Sequence, residues 1–388
     1  MTAPLTRGAE EELLHWLALR LTPGLGPRKA TALIDRYGTP MAVLRAPASE
    51  LESFGLPGSV ARSLASGCSF EEAVEQHEKV KRMGVRIIAW TDPAYPAGLR
   101  EIYDAPPVLF TLGRIELLDT VMVALVGSRR ASAYGKAASE RLAAELAAAG
   151  VTVVSGMARG IDTAAHAGAL SAGGATAAVF GCGLDIIYPA ENRNLAERLA
   201  REGLLLSEFP MGTPAHPQNF PIRNRIISGL SAGVVVVEGV QYSGSLITAR
   251  LALDQNKEVF AVPGNITSPL SFGPNLLLKQ GAQLVQAASD ILDGLGWDSR
   301  SRLSRQQELP LSPGEGETPP AMAAIAKNVL SFLSVDTPMQ LDALLGHLTD
   351  CSSSEVIAAL FELELQGRIR QLPGRSYVKV WYERPGGD

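Results

Sequence analysis

The sequence predicts an α/β protein: a doubly wound, extended Rossmann-like parallel sheet between a small helical N-terminal domain and a C-terminal winged-helix domain. Between Val85 and Gly296, short β-rich runs alternate with Ala-rich helical stretches, which is the spacing of repeated strand–helix–strand units. The strand runs Val121–Val126 and Val234–Val237 are continuously apolar, as strands buried on both faces must be. Before and after this region the pattern turns helical, which supplies the flanking domains.

Residues 1–80 form the first domain. Glu11–Leu21 places Leu13, Leu14, Leu17 and Leu21 at helical spacing, and Pro23-Gly24-Leu25-Gly26-Pro27 turns the chain into Lys29–Tyr37, which stops at Gly38. Phe54-Gly55-Leu56-Pro57-Gly58 then leads into Val60–Ala65 as a second version. Helix, Gly-x-Gly turn, helix is the pattern of a helix-hairpin-helix or SAM-like domain. Its turn amides can face a DNA phosphate, and the same turns equally serve a helical interaction module.

Residues 81–297 form the sheet domain. Its expected strand–helix pairs are Val121–Val126 with Gly135–Ala149, Val151–Val154 with Ile161–Ala172, and Thr176–Phe180 with Asn192–Glu202. Gly203–Ser207, Ala232–Glu238 with Ser245–Leu253, and Glu258–Val262 complete the set. Residues 298–320 are rich in Ser, Arg, Gln, Glu, Gly and Pro without apolar period, and predict a flexible linker. In the tail, residues 321–388, helices are expected over Ala321–Leu333, Pro338–Leu345 and Ser352–Leu365. A hairpin of Gly367–Leu372 and Ser376–Tyr382 around Pro373-Gly374 then makes the wing.

Composition narrows the function. Hydrophobic residues make up 46% of the 388 residues, ample for packed cores, and the net charge is only −5. No bulk positive field attracts nucleic acid or membrane, so any polyanion site must be built locally. The three cysteines, Cys68, Cys182 and Cys351, are far apart, which argues against disulfides and a cysteine zinc site and fits a reducing cytoplasm. The start of the chain lacks a signal-peptide pattern and the apolar runs are too short to span a bilayer. The expectation is a cytoplasmic protein with no membrane partner.

Ligands of open α/β sheets bind beyond the carboxyl ends of the strands. The turns at those ends are Gly127-Ser128-Arg129-Arg130, Ser155-Gly156-Met157-Ala158-Arg159, the loop containing Asn192 and Arg193, the stretch Arg223-Asn224-Arg225, and Ser243-Gly244-Ser245 opening a helix. Glycine admits close backbone approach, helix N-termini present amides, and arginine forks phosphate. Several such turns on one edge predict a phosphate-binding groove. Gly127, Ser128, Arg129, Ser155, Gly156, Arg159, Asn192, Arg193, Arg223, Asn224, Arg225, Gly244 and Ser245 are its candidate residues. Neither a dinucleotide fingerprint nor a GxxxxGK[ST] loop occurs, and no histidines show ligand spacing. Asp162 and His166, four apart on one helix, are read as local hydrogen-bonding residues. No cofactor, metal or catalytic residue is expected.

Taken together, Gly127-Ser128-Arg129 with Tyr134-Gly135, Ser155-Gly156-x-Ala158-x-Gly160-Ile161-Asp162-x-x-Ala165-His166, Tyr188-Pro189-x-x-Asn192, Phe220-Pro221-x-Arg223-Asn224-Arg225-Ile226-Ile227-Ser228-Gly229 and Ser243-Gly244-Ser245-Leu246-x-Thr248-Ala249 resemble the DNA-processing protein A (DprA/Smf) family. Asp92-Pro93-x-Tyr95-Pro96-x-x-Leu99 and Val262-Pro263-Gly264 also fit, and the likeness covers the whole sheet domain in order. It implies a non-enzymatic single-stranded DNA binder that protects incoming DNA in natural transformation and loads the RecA recombinase. Duplex DNA is left open as a second partner. The resemblance also implies a homodimer through the sheet domain, to which the run Leu276, Leu277, Leu278 is a candidate contributor. Arg129 and Arg193 take the positions of phosphate-holding residues, with Arg159, Arg223 and Arg225 secondary. The Arg-Asn-Arg group alternatively buttresses its loop through buried ion pairs. Relatives carry an aromatic ring near Ala196 for base stacking, which this chain lacks; Phe209 and Phe220 are the replacements considered.

In the tail, Ser352–Leu365 carries Glu355, Glu362 and Glu364 and no Lys or Arg, so it is a poor reader of a DNA groove. Arg368, Arg370, Arg375 and Lys379 put positive charge on the wing, which leaves two readings open: wing contacts to a DNA backbone, or an acidic helix that faces a protein. Two rivals share the sheet. A phosphoribohydrolase-like enzyme would need a carboxylate early in the helix after Gly244, and Gly244–Arg250 has none. A nucleotide sensor would saturate with a mononucleotide, whereas a strand binder needs several linked phosphates.

Overall fold

The structure is a computed structural model and describes residues 7–296, 299–303, 328–334, 338–348, 356–357, 359–360, 363, 369–372 and 376–379. The chain divides into two compact units, Met1–Leu309 and Pro310–Asp388. In the first, helices α1 (Arg7–Leu21), α2 (Pro27–Tyr37), α3 (Pro40–Arg45), α4 (Ala48–Ser53), α5 (Gly58–Ala65) and α6 (Phe70–Arg82) precede the sheet. Proline at the first position starts α2 and α3, where a missing N–H costs nothing. Both expected helix–turn–helix units are present, and Lys29 Nζ ties them together by donating to Gly55 O at 2.9 Å.

The sheet strands are β1 (Arg86–Ala89), β2 (Val108–Gly113), β3 (Met122–Val126), β4 (Thr152–Ser155), β5 (Thr176–Phe180), β6 (Leu204–Ser207), β7 (Gly233–Val236), β8 (Glu258–Ala261) and β9 (Gln283–Leu284). They lie in the order β1-β2-β6-β5-β4-β3-β7-β8-β9. Pairing is parallel from β6 through β9, while β1 and β2 form an antiparallel hairpin at one edge. The sequence pattern does not predict that hairpin. The connecting helices are α7 (Ala97–Arg100), α8 (Ala133–Ala148), α9 (Ile161–Ser171), α10 (Arg193–Glu202), α11 (Asn219–Leu230), α12 (Gly244–Asp254), α13 (Phe272–Lys279) and α14 (Ala288–Gly294). Strand β3 is flanked by β4 and β7, so the winding reverses there. The carboxyl ends of β3 and β7 mark the switch point.

Alternate residues of each strand feed opposite faces. On one face Ala124, Val154, Ala177 and Val234 pack with Ile226 of α11 and Ala249 of α12. On the other, Val123, Val153 and Val235 pack with Leu142 of α8 and Ala165 of α9. The rest of that second face, with Phe110, Ala178 and Leu205, shares one core with Trp16, Leu17, Leu33 and Leu64 of the N-terminal helices. The helical region expected as a separate domain over residues 1–80 therefore belongs to the same compact unit as the sheet. The expected linker also begins late: residues 299–303 are helical, Leu303 joins the core, and Arg302 Nη2 donates to Asp119 O at 2.6 Å. Residues 304–320 lie outside the described residues.

The second unit holds a three-stranded antiparallel sheet. Met339–Gln340 pairs with Ser376 and Tyr377, and Ile369–Leu372 pairs with Ser376–Lys379. Helix Leu341–His347 and the described helical residues around Val329 and Leu360 enclose Leu333, Leu344, Val356, Leu363 and Ile369. This is a winged-helix core, with Met339–Gln340 as a strand where the sequence suggests helix. Lys379 is exposed on the wing. Arg368, Arg375, Glu355, Glu362 and Glu364 lie outside the described residues, as does the side chain of Arg370. Among the described residues no helix is long and apolar enough to cross a membrane, and no group of three or more His, Cys, Asp or Glu is placed to hold a metal.

Candidate nucleic-acid interface

The rim at the carboxyl ends of β3, β4 and β5 is built in two tiers. The lower tier is buried and centres on α11. Arg223 and Arg225, two residues apart on a helix, point about 200° apart. Arg223 Nη1 donates to Gly156 O at 2.6 Å and also to Val179 O, at the ends of β4 and β5. Burial pushes its pKa down to about 10, with the nearby Asp162 charge opposing, so it remains a cation at neutral pH. Arg225 turns toward the sheet's edge hairpin, pairing with Asp104 at 3.0 Å and with the buried Glu208 at 2.6 Å.

The expectation that Arg223 and Arg225 contact phosphate is corrected by this placement. They are 3% and 5% exposed and their donors are turned inward; the ion-pair alternative describes Arg225. Ser155 is corrected likewise, being fully buried with its hydroxyl donating to Leu125 O at 2.7 Å. The amides of the candidate Gly156 and of Ala158 donate to Asp162 Oδ2 at 3.1 and 3.2 Å. Burial pushes the Asp162 carboxyl up and the Arg223 charge pulls it back. Asn192 is buried as well, donating to Met157 O at 2.8 Å and Thr163 Oγ1 at 3.0 Å. His166 shares a 2.7 Å hydrogen bond with Thr176 and burial drives its pKa down to about 3, so it is neutral at physiological pH. The Asp162–His166 pair is scaffold, as the sequence suggests.

Two glycines make this tier possible. A Cβ at Gly156 would stand 2.7 Å from the Arg223 guanidinium. Gly160 has φ +80°, and a Cβ there would overlap Ser128 O. Gly160 lets the β4 turn pack directly under the β3 turn, and Gly156 makes room for the Arg223 head from α11.

The upper tier faces solvent. Gly127 and Ser128 are half-buried and carry the chain to exposed Arg129 and Arg130; Ser128 Oγ accepts from Arg130 N at 3.1 Å. Arg193 opens α10 and is exposed. Among the described residues neither Arg129 nor Arg193 pairs with a carboxylate. Arg159 is exposed too, but forms an ion pair with exposed Glu191. The Arg129 guanidinium lies 4.9 Å from the centroid of the Phe220 ring, and Phe220 stands 5.4 Å from the Tyr188 ring. Phe209, the other aromatic considered, is core. On the far side of the switch point, Gly244 is exposed at the start of α12, the Ser243 and Ser245 hydroxyls are 2.8 Å apart, and Asn224 Nδ2 reaches Gly244 O at 3.4 Å.

One site residue is missed by sequence pattern. Glu238, buried at the end of β7, accepts from Ser132 N at 2.9 Å and from Ser132 Oγ. Its charge sits at the positive end of α8, so that helix terminus is already answered from within. The signal was an acid closing an apolar strand opposite a serine that caps the next helix.

The molecule is thus an α/β protein with a doubly wound sheet whose carboxyl rim carries arginines exposed and, among the described residues, without a carboxylate partner, over a buried polar scaffold. Residues 86–296 match the family model for DNA recombination-mediator protein A, and residues 313–375 match that of the DprA winged helix domain. Protein Smf of Escherichia coli is 42% identical over 287 residues, covering 74% of this chain and 75% of the relative. The X-ray structure of DNA processing protein A from Streptococcus pneumoniae superposes with a TM-score of 0.66 at 34% identity, over 73% of this chain and 98% of that one. A Helicobacter pylori DNA processing protein A, whose structure concerns its single-stranded DNA binding mode, matches with a TM-score of 0.50 at 33% identity, over 54% and 94% of the two chains. The chain belongs to the DprA/Smf family of DNA recombination mediators.

Proposed function

We propose that the rim binds single-stranded DNA through Arg129 and Arg193, and that the bound strand is protected and handed to the RecA recombinase in natural transformation. The observation that carries this reading is that Arg129 and Arg193 stand exposed on the rim without a carboxylate partner among the described residues, whereas Arg223 and Arg225 are buried and engaged within the fold and Arg159 pairs with Glu191. The single-strand binding described for the Helicobacter pylori relative supports it. Arg159, Gly127, Ser128 and Gly244 are the secondary contacts of the groove. The protein acts by binding and without catalysis: Asp254, the carboxylate of α12, is that helix's last residue, far from the turn where a hydrolase would need one. It works in the cytoplasm as a homodimer formed through the sheet unit, with Leu276 and Leu278 half-buried on α13 and Leu277 committed to the core.

The test is fluorescence anisotropy with labelled oligo-dT at two salt concentrations. Wild type should bind with strong salt dependence. Arg129→Ala and Arg193→Ala should each weaken binding and lower the log–log salt slope by about 0.7, the value for one phosphate contact on a single strand. Wild-type slope and affinity in both variants would refute the rim assignment.

A further inference from the structure

We propose that the Tyr188 ring is the seat of one nucleobase of the bound strand, with Phe220 as its brace and Arg129 beside it for a neighbouring phosphate. The inference rests on the single-strand reading of the rim and names the ring that would take a base in a chain that lacks an aromatic at Ala196. Tyr188 is 46% exposed on the loop that leads to Arg193. Its ring meets Phe220 at 5.4 Å with planes 33° apart.

Phe220, half-buried, is the more covered of the two rings. Its edge rests on Gly181, where a Cβ would stand 2.9 Å from the ring, and Arg129 and Arg223 lie 4.9 and 5.8 Å from its centroid. Phe220 is thus partly covered by backbone and two guanidinium groups, and it braces the more exposed Tyr188 ring. A ring 46% exposed and braced by a second ring is a stacking surface awaiting a partner. The neighbours identify that partner. Arg129, packed on the bracing Phe220 ring, and Arg193, five residues along the chain from Tyr188, would be stripped of water by an apolar protein surface at high cost. A strand that brings flat bases and phosphates together satisfies both the ring and the cations.

The experiment uses the full chain and two probes of equal length and charge, labelled oligo-dT and an abasic deoxyribose-phosphate oligomer. Tyr188→Leu should weaken oligo-dT binding about tenfold, within the range for one stacked base, and leave abasic binding and the salt slope unchanged. Tyr188→Phe should keep wild-type affinity for both, which also shows that the loop tolerates substitution. Equal losses on both probes, or wild-type oligo-dT affinity in Tyr188→Leu, would overturn the base seat while leaving the strand-binding reading intact. Failure of wild type to bind either probe would remove that reading and the seat with it.

Discussion

Arg223 and Arg225 sit within a hundred residues of Arg129 and Arg193 in sequence and line the same edge of the sheet, yet the two pairs live in opposite solvents. The first pair is sunk among carbonyls and carboxylates; the second stands in water with no acid to neutralise it among the described residues. The lesson is that position beyond a strand end does not decide what an arginine does. A buried guanidinium has already committed its donors inside the protein. An exposed one, held on a rigid turn, keeps its donors for a ligand.

The sharpest way to break this contrast is through stability. Arg225→Ala would leave Glu208 buried without its cation and should cost about 3–5 kcal/mol, read as a lowered urea midpoint. Arg129→Ala should stay within about 0.5 kcal/mol of wild type. Similar midpoints for the two variants would erase the distinction. Next in size, Gly156→Ala drives a methyl to 2.7 Å from the Arg223 head. Because that head is pinned to two carbonyls, overpacking should cost about 1–3 kcal/mol, measured by the same unfolding curves; an unchanged midpoint would mean Arg223 is not locked. The smallest effect sharpens the exposed side. Glu191→Gln releases Arg159 from its surface pair and should tighten oligo-dT binding by about twofold to fivefold, the worth of one such pair, with no change in unfolding. Weaker binding would show that the pair itself orders the loop.

Much of this was legible in the sequence because it is local. Continuous apolar runs such as Val121–Val126 and Val234–Val237 can only be central strands, and the segments after β3 and β5 carry Arg129 and Arg193. The hairpin of β1 and β2 was not legible. Arg86–Ala89 is short, and β2 finds its second partner in β6, far along the chain. For the same reason the fate of Arg225 stayed open: its acids, Asp104 and Glu208, come from different elements. Glu238 reaches Ser132 across 106 residues, a distance at which pattern has no purchase.

The core shared by the first helices and the sheet has a consequence for how the molecule is made. Trp16 and Leu17 leave the ribosome first, yet Leu205, which helps close their core, follows roughly 190 residues later, a wait of about 10–40 s at ordinary synthesis rates. During that interval the nascent helices have each other, Leu33 and Leu64 included, but not the strand that completes their burial. Native closure is therefore a late, long-range event. A polypeptide halted before β6 carries an open apolar face into the cytosol, as a client for chaperones or a seed for aggregation.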